Sequence, residues 1–281
     1  MKIVMTLLVR DEQDVLRDNI EFHLAHGVDQ IVLMDNRSVD GTAEIAREYE
    51  RAGHLRYLFQ PRDDYSQGRW VTAMARYAAR ELGADWIINN DADEFWLPER
   101  GSLKDVFAAL SPDVVAVEAP RLNFVARTGE GQPFWRRMDV RWVASRNALG
   151  QPLPGKVAHR AHADVEVEQG NHAIAIAGTR VPPSPAPMTI FHFPIRSCAQ
   201  YRNKIVKGGA AYARNRELPA HVGSTWRALY DRYLAGRFDE VLADECFTDE
   251  RIAAGLAAGE LVRDERLAVA MTTRVLDRSS A

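Results

Sequence analysis

The chain of 281 residues has little that would cross-link it or anchor it in a membrane. Its two cysteines, Cys198 and Cys246, are too few and too far apart in sequence for a disulfide framework or a thiolate zinc site. No segment reaches the roughly 18–20 consecutive apolar residues of a membrane span. The first apolar run, residues 3–9, is too short for a secretory signal and is typical of a buried strand. We therefore expect a cytoplasmic protein without a transmembrane segment, and incidental thiols in a reducing compartment.

A strong charge of either sign is also absent, since the formal net charge is -3 and the pI is near 6.3. A nucleic-acid partner bound through neutralised phosphates is therefore disfavoured. The hydrophobic fraction of 46% and the charged fraction of 27% are ordinary for a globular protein. We expect most of the chain to fold around a sizeable core.

The first hundred residues alternate between short apolar runs and helical patterns. Strands are predicted at 3–9, 30–34, 55–59 and 86–89, and helices at 14–25, 42–51 and 70–82. This order predicts a parallel α/β sheet flanked by helices. The complete dinucleotide fingerprint G-x-G-x-x-G and the complete phosphate loop G-x-x-x-x-G-K-[ST] are absent, which removes the commonest NAD and ATP interpretations of such a sheet.

The pattern is less regular in the second half of the chain. Strands are predicted at 113–117, 134–145 and 173–177, and helices at 199–214, 225–234 and 249–258. Between these two groups, the proline-rich segment 182–187 predicts a stiff extended loop that belongs to neither a helix nor a central strand.

Two carboxylates, Asp91 and Asp93, follow the fourth predicted strand with one small residue between them. In open α/β sheets, the carboxyl ends of strands open into the ligand cleft. Carboxylates this close repel each other unless a cation compensates them, and Mg²⁺ or Mn²⁺ binds such groups together with water and substrate phosphates. Taken alone the pair more often marks a turn. In the context of the sheet, it predicts a metal–diphosphate site.

Several short polar segments lie along the chain, most of them next to a predicted strand. They are V-R-D-E at 9–12, E-F-H at 21–23, G-V-D at 27–29, D-N-R-S-V-D-G-T at 35–42, D-A-D-E-F at 91–95 and H-F-P-I-R-S at 192–197. In this order, over about residues 1–210, the chain resembles family 2-type glycosyltransferases of the GT-A fold. It is most similar to a branch with D-x-D-E-F and H-[FY]-x-[IV]-R-S segments. The resemblance implies a Rossmann-like mixed sheet flanked by helices over 1–215, with a nucleotide-binding half (1–97), an acceptor-side half (98–215) and a helical C-terminal appendage (216–281).

The resemblance also implies roles for individual residues. Nucleotide contacts fall on Arg10, Asp35, Arg69 and Asp91, diphosphate contacts on Arg196, Lys204 and Lys207, and metal ligands on Asp91, Asp93 and His192, with Asp93 as the direct ligand. Ordinary structural alternatives exist: a turn acid for Asp35, a surface ion pair for Arg10, a core position for His192 and a solvated basic face for the two lysines. Lys156 and the turn Gly170-Asn171-His172 match recurrent positions of the branch without an assigned role.

The acceptor side is less defined. An inverting transfer needs a general base for the acceptor hydroxyl. Candidate bases in the middle of the chain are Asp139, Asp164, Glu166 and Glu118. The chain lacks the plain E-D pair that many inverting relatives carry, so the base and the stereochemical outcome stay open.

Together these features predict a Mn²⁺- or Mg²⁺-dependent glycosyltransferase that moves a sugar from a UDP-linked donor to a saccharide or glycoconjugate acceptor. One alternative is a catalytically silent GT-A-fold protein that binds a carbohydrate or nucleotide. A sugar-nucleotide pyrophosphorylase would carry a glycine-rich loop where Arg10-Asp11-Glu12-Gln13 stands. A phosphatase with an aspartate nucleophile would carry Thr or Val where Phe95 stands.

Overall fold

The computed structural model describes residues 1–127, 131–219 and 221–278, with side chains as far as 272. Its strands are β1 (Ile3–Val9), β2 (Gln30–Asp35), β3 (Leu55–Phe59), β4 (Trp86–Asp91), β5 (Glu94–Pro98), β6 (Ala116–Ala119), β7 (Arg121–Asn123), β8 (Val140–Trp142), β9 (Lys156–Arg160), β10 (Val165–Val167), β11 (Ile174–Ile176), β12 (Thr179–Val181), β13 (Ser184–Pro185), β14 (Met188–His192) and β15 (Leu261–Arg263). Its helices are α1 (Leu16–Ala25), α2 (Thr42–Arg51), α3 (Gln67–Glu81), α4 (Leu103–Ala108), α5 (Phe134–Arg137), α6 (Cys198–Arg214), α7 (Ser224–Leu234), α8 (Phe238–Glu245), α9 (Asp249–Ala257) and α10 (Arg266–Arg278).

The chain divides into two compact units. Unit 1 comprises Met1–Pro120 and Pro154–Ile190, and unit 2 comprises Arg121–Leu153 and Phe191–Ala281. This division differs from the predicted boundary at residue 215, because the chain leaves unit 1 after Pro120, returns at Pro154 and leaves again after Ile190.

Unit 1 is built on a mixed sheet with the strand order β13-β6-β9-β4-β1-β2-β3. Strands β1 to β4 run parallel, as the alternation of apolar runs and helices predicts. Strand β9 lies between β4 and β6 and is antiparallel to both. In this register Ile88 faces Ala158, so the start of β9 lies beside the carboxyl end of β4.

The core of unit 1 explains why these segments fold as they do. Strands β1 and β4 are buried along nearly their whole length, which accounts for their continuous apolar runs. Helix α3 buries Trp70, Val71, Met74, Ala75 and Ala78 against the sheet, with the three- and four-residue spacing of an amphipathic helix. Each large side chain buried in this way contributes about 1.5–3 kcal/mol to stability. The antiparallel meander β10-β11-β12 packs on the same helix through Val165 and Val167.

One predicted strand is wrong. The segment 134–145 forms the short helix α5 and then the strand β8, which pairs with β15 in unit 2. Pro133 precedes α5, and proline favours the first turn of a helix because its φ angle is already helical. The proline-rich segment predicted as a loop contributes the two-residue strand β13. This strand lies at the edge of the sheet, where proline is tolerated.

Unit 2 is mainly helical in the part that the structure describes. Helices α6, α7 and α8 meet in an apolar cluster that includes Ile205, Leu229 and Val241. The predicted helices at 199–214, 225–234 and 249–258 are confirmed within one residue at each end by α6, α7 and α9. Within the described residues, no helix has the length and the apolar character needed to cross a membrane.

Two buried histidines make the stability of unit 1 sensitive to acid. His23 donates from Nδ1 to the carbonyl of Asn19 (2.8 Å) and accepts at Nε2 from the backbone N–H of Trp96 (3.2 Å). Burial lowers the pKa of His23 to about 3 and that of His159 to about 4. The unfolded chain binds these protons near pH 6.5, whereas the folded chain does not. Stability is therefore lost as the pH falls below 6.5.

We expect the free energy of unfolding to fall by about 2–3 kcal/mol between pH 7.5 and pH 5.5, with about half from each histidine. Urea denaturation followed by tryptophan fluorescence at the two pH values measures this loss. The variant His23→Gln should show about half of the pH dependence of the wild type. A stability that is constant or rises over this range would contradict the assignment.

Candidate active site

The carboxyl end of β4 carries a buried ion-pair cluster. The ammonium of Lys156, whose side chain is only 2% exposed, lies 2.5 Å from Oδ2 of Asp91 and 3.4 Å from Oε1 of Glu94. Lys156 reaches this position because it is the first residue of β9, the strand that runs antiparallel to β4. Removing one partner of a buried ion pair leaves an uncompensated charge, so the three side chains depend on one another.

The second oxygen of Asp91 is held by two side-chain amides. Nε2 of Gln67 and Nδ2 of Asn171 each lie 3.3 Å from Oδ1 of Asp91. Gln67 is the first residue of α3, and its own Oε1 accepts from the backbone N–H of Gly170 at 2.9 Å. Gly170 and Asn171 both have positive φ, a conformation that glycine and asparagine adopt at the lowest cost. This turn therefore brings the Asn171 amide to Asp91.

The turn that carries Asp93 is fixed by asparagine amides. Nδ2 of Asn19, on α1, donates to the carbonyls of Ala92 (2.9 Å) and Glu94 (2.7 Å). Asn90 also donates to the carbonyl of Glu94 and accepts from the indole N–H of Trp96. Asp93 is almost fully buried in this turn. The backbone between Asp91 and Glu94 is thus held from two elements.

The end of β2 presents a second buried carboxylate. Asp35, which is 1% exposed, accepts at Oδ1 from the backbone N–H of Ser38 (2.9 Å) and at Oδ2 from the hydroxyl of Tyr57 (2.8 Å). Burial and the bond to Asp35 raise the pKa of Tyr57 to about 12, so its hydroxyl remains a donor at neutral pH. The bond from Ser38 also agrees with the turn-acid alternative for Asp35.

The arginines near this edge are partly committed to other partners. Nη1 of Arg10, at the end of β1, lies 2.5 Å from Oδ1 of Asp63, and Arg37 lies 3.3 Å from the other oxygen of the same carboxylate. The ion-pair alternative for Arg10 is therefore present in the structure. Arg69 is exposed on the first turn of α3.

Four further predicted site residues lie in unit 2. Nδ1 of His192 lies 2.5 Å from Oδ1 of Asn123 and donates to it, because an amide oxygen only accepts, and this bond fixes the ring. Arg196 is buried and donates to the carbonyl of Phe193 at 3.0 Å. Lys204 lies over the ring of Trp226, 5.8 Å from its centroid, and Lys207 follows on the same helix. His192 is thus held by a residue of the other segment of unit 2, and Arg196 by its own segment.

Three of the four candidate bases have arginine partners. Asp139 pairs with Arg127 and Arg263, Asp164 with Arg80, and Glu166 with Arg76. The fourth, Glu118, is exposed on β6. The general base therefore stays a prediction without a single preferred residue.

The side chains around the predicted metal ligands show which kind of metal site the chain could form. Within the described parts of the chain, no three side chains of His, Cys, Asp or Glu lie close enough together to hold a metal. Of the predicted ligands, Asp91 and Asp93 belong to unit 1 and His192 to unit 2. The two carboxylates fit a different mode, in which Mg²⁺ or Mn²⁺ takes one or two carboxylates and completes its shell with water and phosphate oxygens.

The acidic residues at the carboxyl ends of β2 and β4 lie at the edge where open α/β sheets bind their ligands. The chain matches the family model described as glycosyl transferase family 2 over residues 5–162, which is more than half of its length. It therefore belongs to glycosyl transferase family 2. The family resemblance, the GT-A fold class and the prediction of a nucleotide-sugar glycosyltransferase are confirmed. The pyrophosphorylase and phosphatase alternatives are set aside.

Solved structures show more distant likenesses. Staphylococcus aureus TarS 1-349 in complex with UDP-GlcNAc is 10% identical, with 84% of this chain and 73% of that chain covered and a TM-score of 0.41. Mycobacterium tuberculosis glucosyl-3-phosphoglycerate synthase in complex with Mn²⁺, UDP and phosphoglyceric acid is 16% identical over 57% of this chain and 56% of that chain, with a TM-score of 0.33. The comparison with curated proteins gives no match.

Sequence reasoning left three residues of this site without a role. Lys156 and Asn171 stand at recurrent positions of the branch, and Gln67 stands shortly before the predicted helix at 70–82. The signals available were a lysine before an apolar run, V-A at 157–158, and a polar residue at a helix start. Neither signal shows that the side chains of Lys156 and Gln67 contact Asp91, which lies 65 positions before Lys156 in the sequence.

The variant Lys156→Met should lower the free energy of unfolding by about 3 kcal/mol, because it leaves buried Glu94 and half-buried Asp91 without their cation. Urea denaturation measures the loss. The control Lys104→Met removes a solvent-exposed pair with Asp29 and should cost less than about 1 kcal/mol.

The double variant Lys156→Met with Glu94→Gln should recover part of the loss, since it removes the fully buried carboxylate. Equal losses for Lys156→Met and Lys104→Met would show that the buried cluster does not stabilise the fold.

Proposed function

We propose that this glycosyltransferase uses a UDP-linked sugar as donor, requires Mn²⁺ or Mg²⁺, and transfers the sugar to a saccharide or glycoconjugate acceptor. The observation that carries the proposal is the fixed turn Asp91–Glu94 at the carboxyl end of β4, in the sheet that also presents Asp35 at the end of β2. The choice of uridine rests on the resemblance of the D-A-D-E-F segment to its branch.

The nucleoside is assigned to the ends of β1 and β2. Asp35 is held in one orientation by Ser38 and Tyr57. A carboxylate has about four acceptor positions, so the two protein donors leave capacity for a ribose hydroxyl or a base N–H. Arg10 would contact the base or a phosphate from the neighbouring strand, and Arg69 is the further candidate on α3.

The diphosphate is assigned to cationic groups and to the acidic turn. Asp93 would hold the metal directly, with Asp91 and His192 as the other proposed ligands. When bound, the metal stabilises the negative charge that develops on the leaving diphosphate. Lys156 orients Asp91 from inside the protein, while Arg196, Lys204 and Lys207 are proposed to contact the phosphates.

The acceptor, the base and the cellular compartment stay predictions. Asp139, Asp164, Glu166 and Glu118 are the proposed candidates for the base if the transfer inverts the anomeric centre. A screen of nucleotide sugars for hydrolysis with and without Mn²⁺ identifies the donor, because one active compound fixes both the base and the sugar. Hydrolysis of no nucleotide sugar in either condition would count against the proposal.

Calorimetry with UDP tests the role of the acidic turn. We expect UDP to bind at least about tenfold more tightly with Mn²⁺ than with EDTA, since the metal links the carboxylates to the diphosphate. The variant Asp93→Asn should lose this enhancement, whereas the control Asp113→Asn, on an exposed loop before β6, should keep it. Equal affinity with Mn²⁺ and EDTA in the wild type would contradict the metal assignment.

The variant Tyr57→Phe tests whether Asp35 contacts the nucleoside. It removes one hydrogen bond to the carboxylate, worth about 1 kcal/mol, so UDP affinity should fall by roughly fivefold. Tyr77→Phe, which alters a partly buried tyrosine on α3, is the matched control and should leave the affinity unchanged. An unaltered affinity in Tyr57→Phe would argue that Asp35 serves only the turn before α2.

A further inference from the structure

The side chain of Asn171 is buried beside Asp91 and uses only part of its hydrogen-bonding capacity. Asn171 is 1% exposed, and its Nδ2 lies 3.3 Å from Oδ1 of Asp91. Its Oδ1 is buried and has no hydrogen-bond partner among the described residues. Native proteins keep few buried polar atoms without a partner, because each of them costs free energy. An atom of this kind beside a candidate ligand site indicates a side chain that changes partners when a ligand binds.

The orientation of the Asn171 amide follows from the group that it faces. An ionised carboxylate only accepts hydrogen bonds, so the end of the amide that faces Asp91 is the NH₂ group. The carbonyl oxygen is therefore the end that lacks a partner.

Gln67 offers a comparison, because its Nε2 also lies 3.3 Å from Oδ1 of Asp91. Its Oε1 accepts from the backbone N–H of Gly170 at 2.9 Å, so both ends of this amide have partners. Asn171 has only its one long contact with Asp91 at the amide nitrogen. Of the two amides, that of Asn171 is therefore the one with an acceptor available for a ligand.

The backbone of Asn171 is fixed by its own hydrogen bonds. Its N–H donates to the carbonyl of Glu168 at 2.9 Å, and its carbonyl accepts from the N–H of Val157 at 3.1 Å. The same turn is tied to α3, because the N–H of Gly68 donates to Oε1 of Gln169 at 2.8 Å. The φ angle of Asn171 is 62°, a conformation that asparagine adopts at low cost. A ligand would therefore need to turn only the side chain.

Oδ1 of Asp91 is the place where a ligand can reach this amide. Lys156 lies 2.5 Å from the other oxygen of Asp91, and the Asp91 side chain is 29% exposed. A hydroxyl fits between a carboxylate oxygen and an amide N–H, because it donates to the first and accepts from the second. A second hydroxyl on the adjacent carbon can donate to the amide oxygen. Ribose carries such a pair of neighbouring hydroxyls.

We propose that Asn171 is a nucleotide-binding residue whose amide binds the two ribose hydroxyls of the donor beside Asp91. The inference rests on the proposed function, in which Asp91 contacts the nucleotide. In the bound state, one hydroxyl donates to Oδ1 of Asp91 and accepts from Nδ2 of Asn171. The other hydroxyl donates to Oδ1 of Asn171, the atom that lacks a partner in the unbound protein.

Calorimetry with UDP, 2′-deoxy-UDP and 3′-deoxy-UDP, each in the presence of Mn²⁺, tests the proposal. The wild type should bind each deoxy analogue about tenfold more weakly than UDP, because each lacks one of the two hydroxyls. Asn171→Gly removes the amide and tolerates the positive φ angle, so it should bind UDP about tenfold more weakly than the wild type. For either deoxy analogue the same substitution should cost less than about threefold, because the pair of hydroxyls is already incomplete.

Asn147→Gly is the matched control, since it removes an amide from a turn of unit 2, and it should leave the three affinities unchanged. Urea denaturation checks that Asn171→Gly remains folded. The wild-type measurements need no variant, and equal binding of the three nucleotides there would overturn the proposal.

The pattern of losses separates a direct contact from a role through Asp91. If Asn171 only holds Asp91, the loss in Asn171→Gly should shrink with the single analogue whose missing hydroxyl binds Asp91, or with neither, and either result would overturn the proposal. A wild type that does not bind UDP would overturn the donor assignment together with this inference. UDP binding without the expected pattern would overturn this inference alone.

Discussion

The contact of Lys156 with Asp91 and Glu94 is the constraint on which the site depends. Removing an ammonium and a carboxylate from water is costly, and the cost is offset only when the charges meet at close range with good geometry. Here the distances are 2.5 and 3.4 Å, and they require β9 to run antiparallel beside β4. The reversed strand and the acidic turn therefore stabilise each other, although the chain between them departs into unit 2 and returns.

Neutral side chains also fix the acidic turn, through hydrogen bonds to its backbone. Asn19 and Asn90 satisfy the carbonyls of the turn that carries Asp93, and His23 accepts from the backbone just beyond it. Buried polar groups are stable only when they are paired, so this network admits few alternative backbone positions. A carboxylate held in a fixed position loses little entropy when it binds a ligand.

The sequence predicted the parts of this fold that depend on local patterns. The first four strands and the three helices between them follow from apolar periodicity, and the positions of Asp35, Asp91 and Asp93 at strand ends follow from that order. The segment 134–145 was misassigned because a short apolar run does not distinguish a strand from a helical turn. The partners of Asp91 could not be predicted, since Lys156 and Asn171 reach it through strand pairing between distant segments.

The hydrogen bonds to the two oxygens of Asp91 are unequal. The bond from Lys156 at 2.5 Å is charge-assisted and buried, whereas the amide bonds from Gln67 and Asn171 at 3.3 Å lie beyond the usual range for N–H···O contacts. Asp91 is 29% exposed, so Oδ1 is the oxygen at which exchange costs least. In the proposed donor complex, an incoming ribose hydroxyl or hydrated cation would replace the two amides and leave the lysine in place. Lys156 would then keep Asp91 oriented while Oδ1 changes its partners.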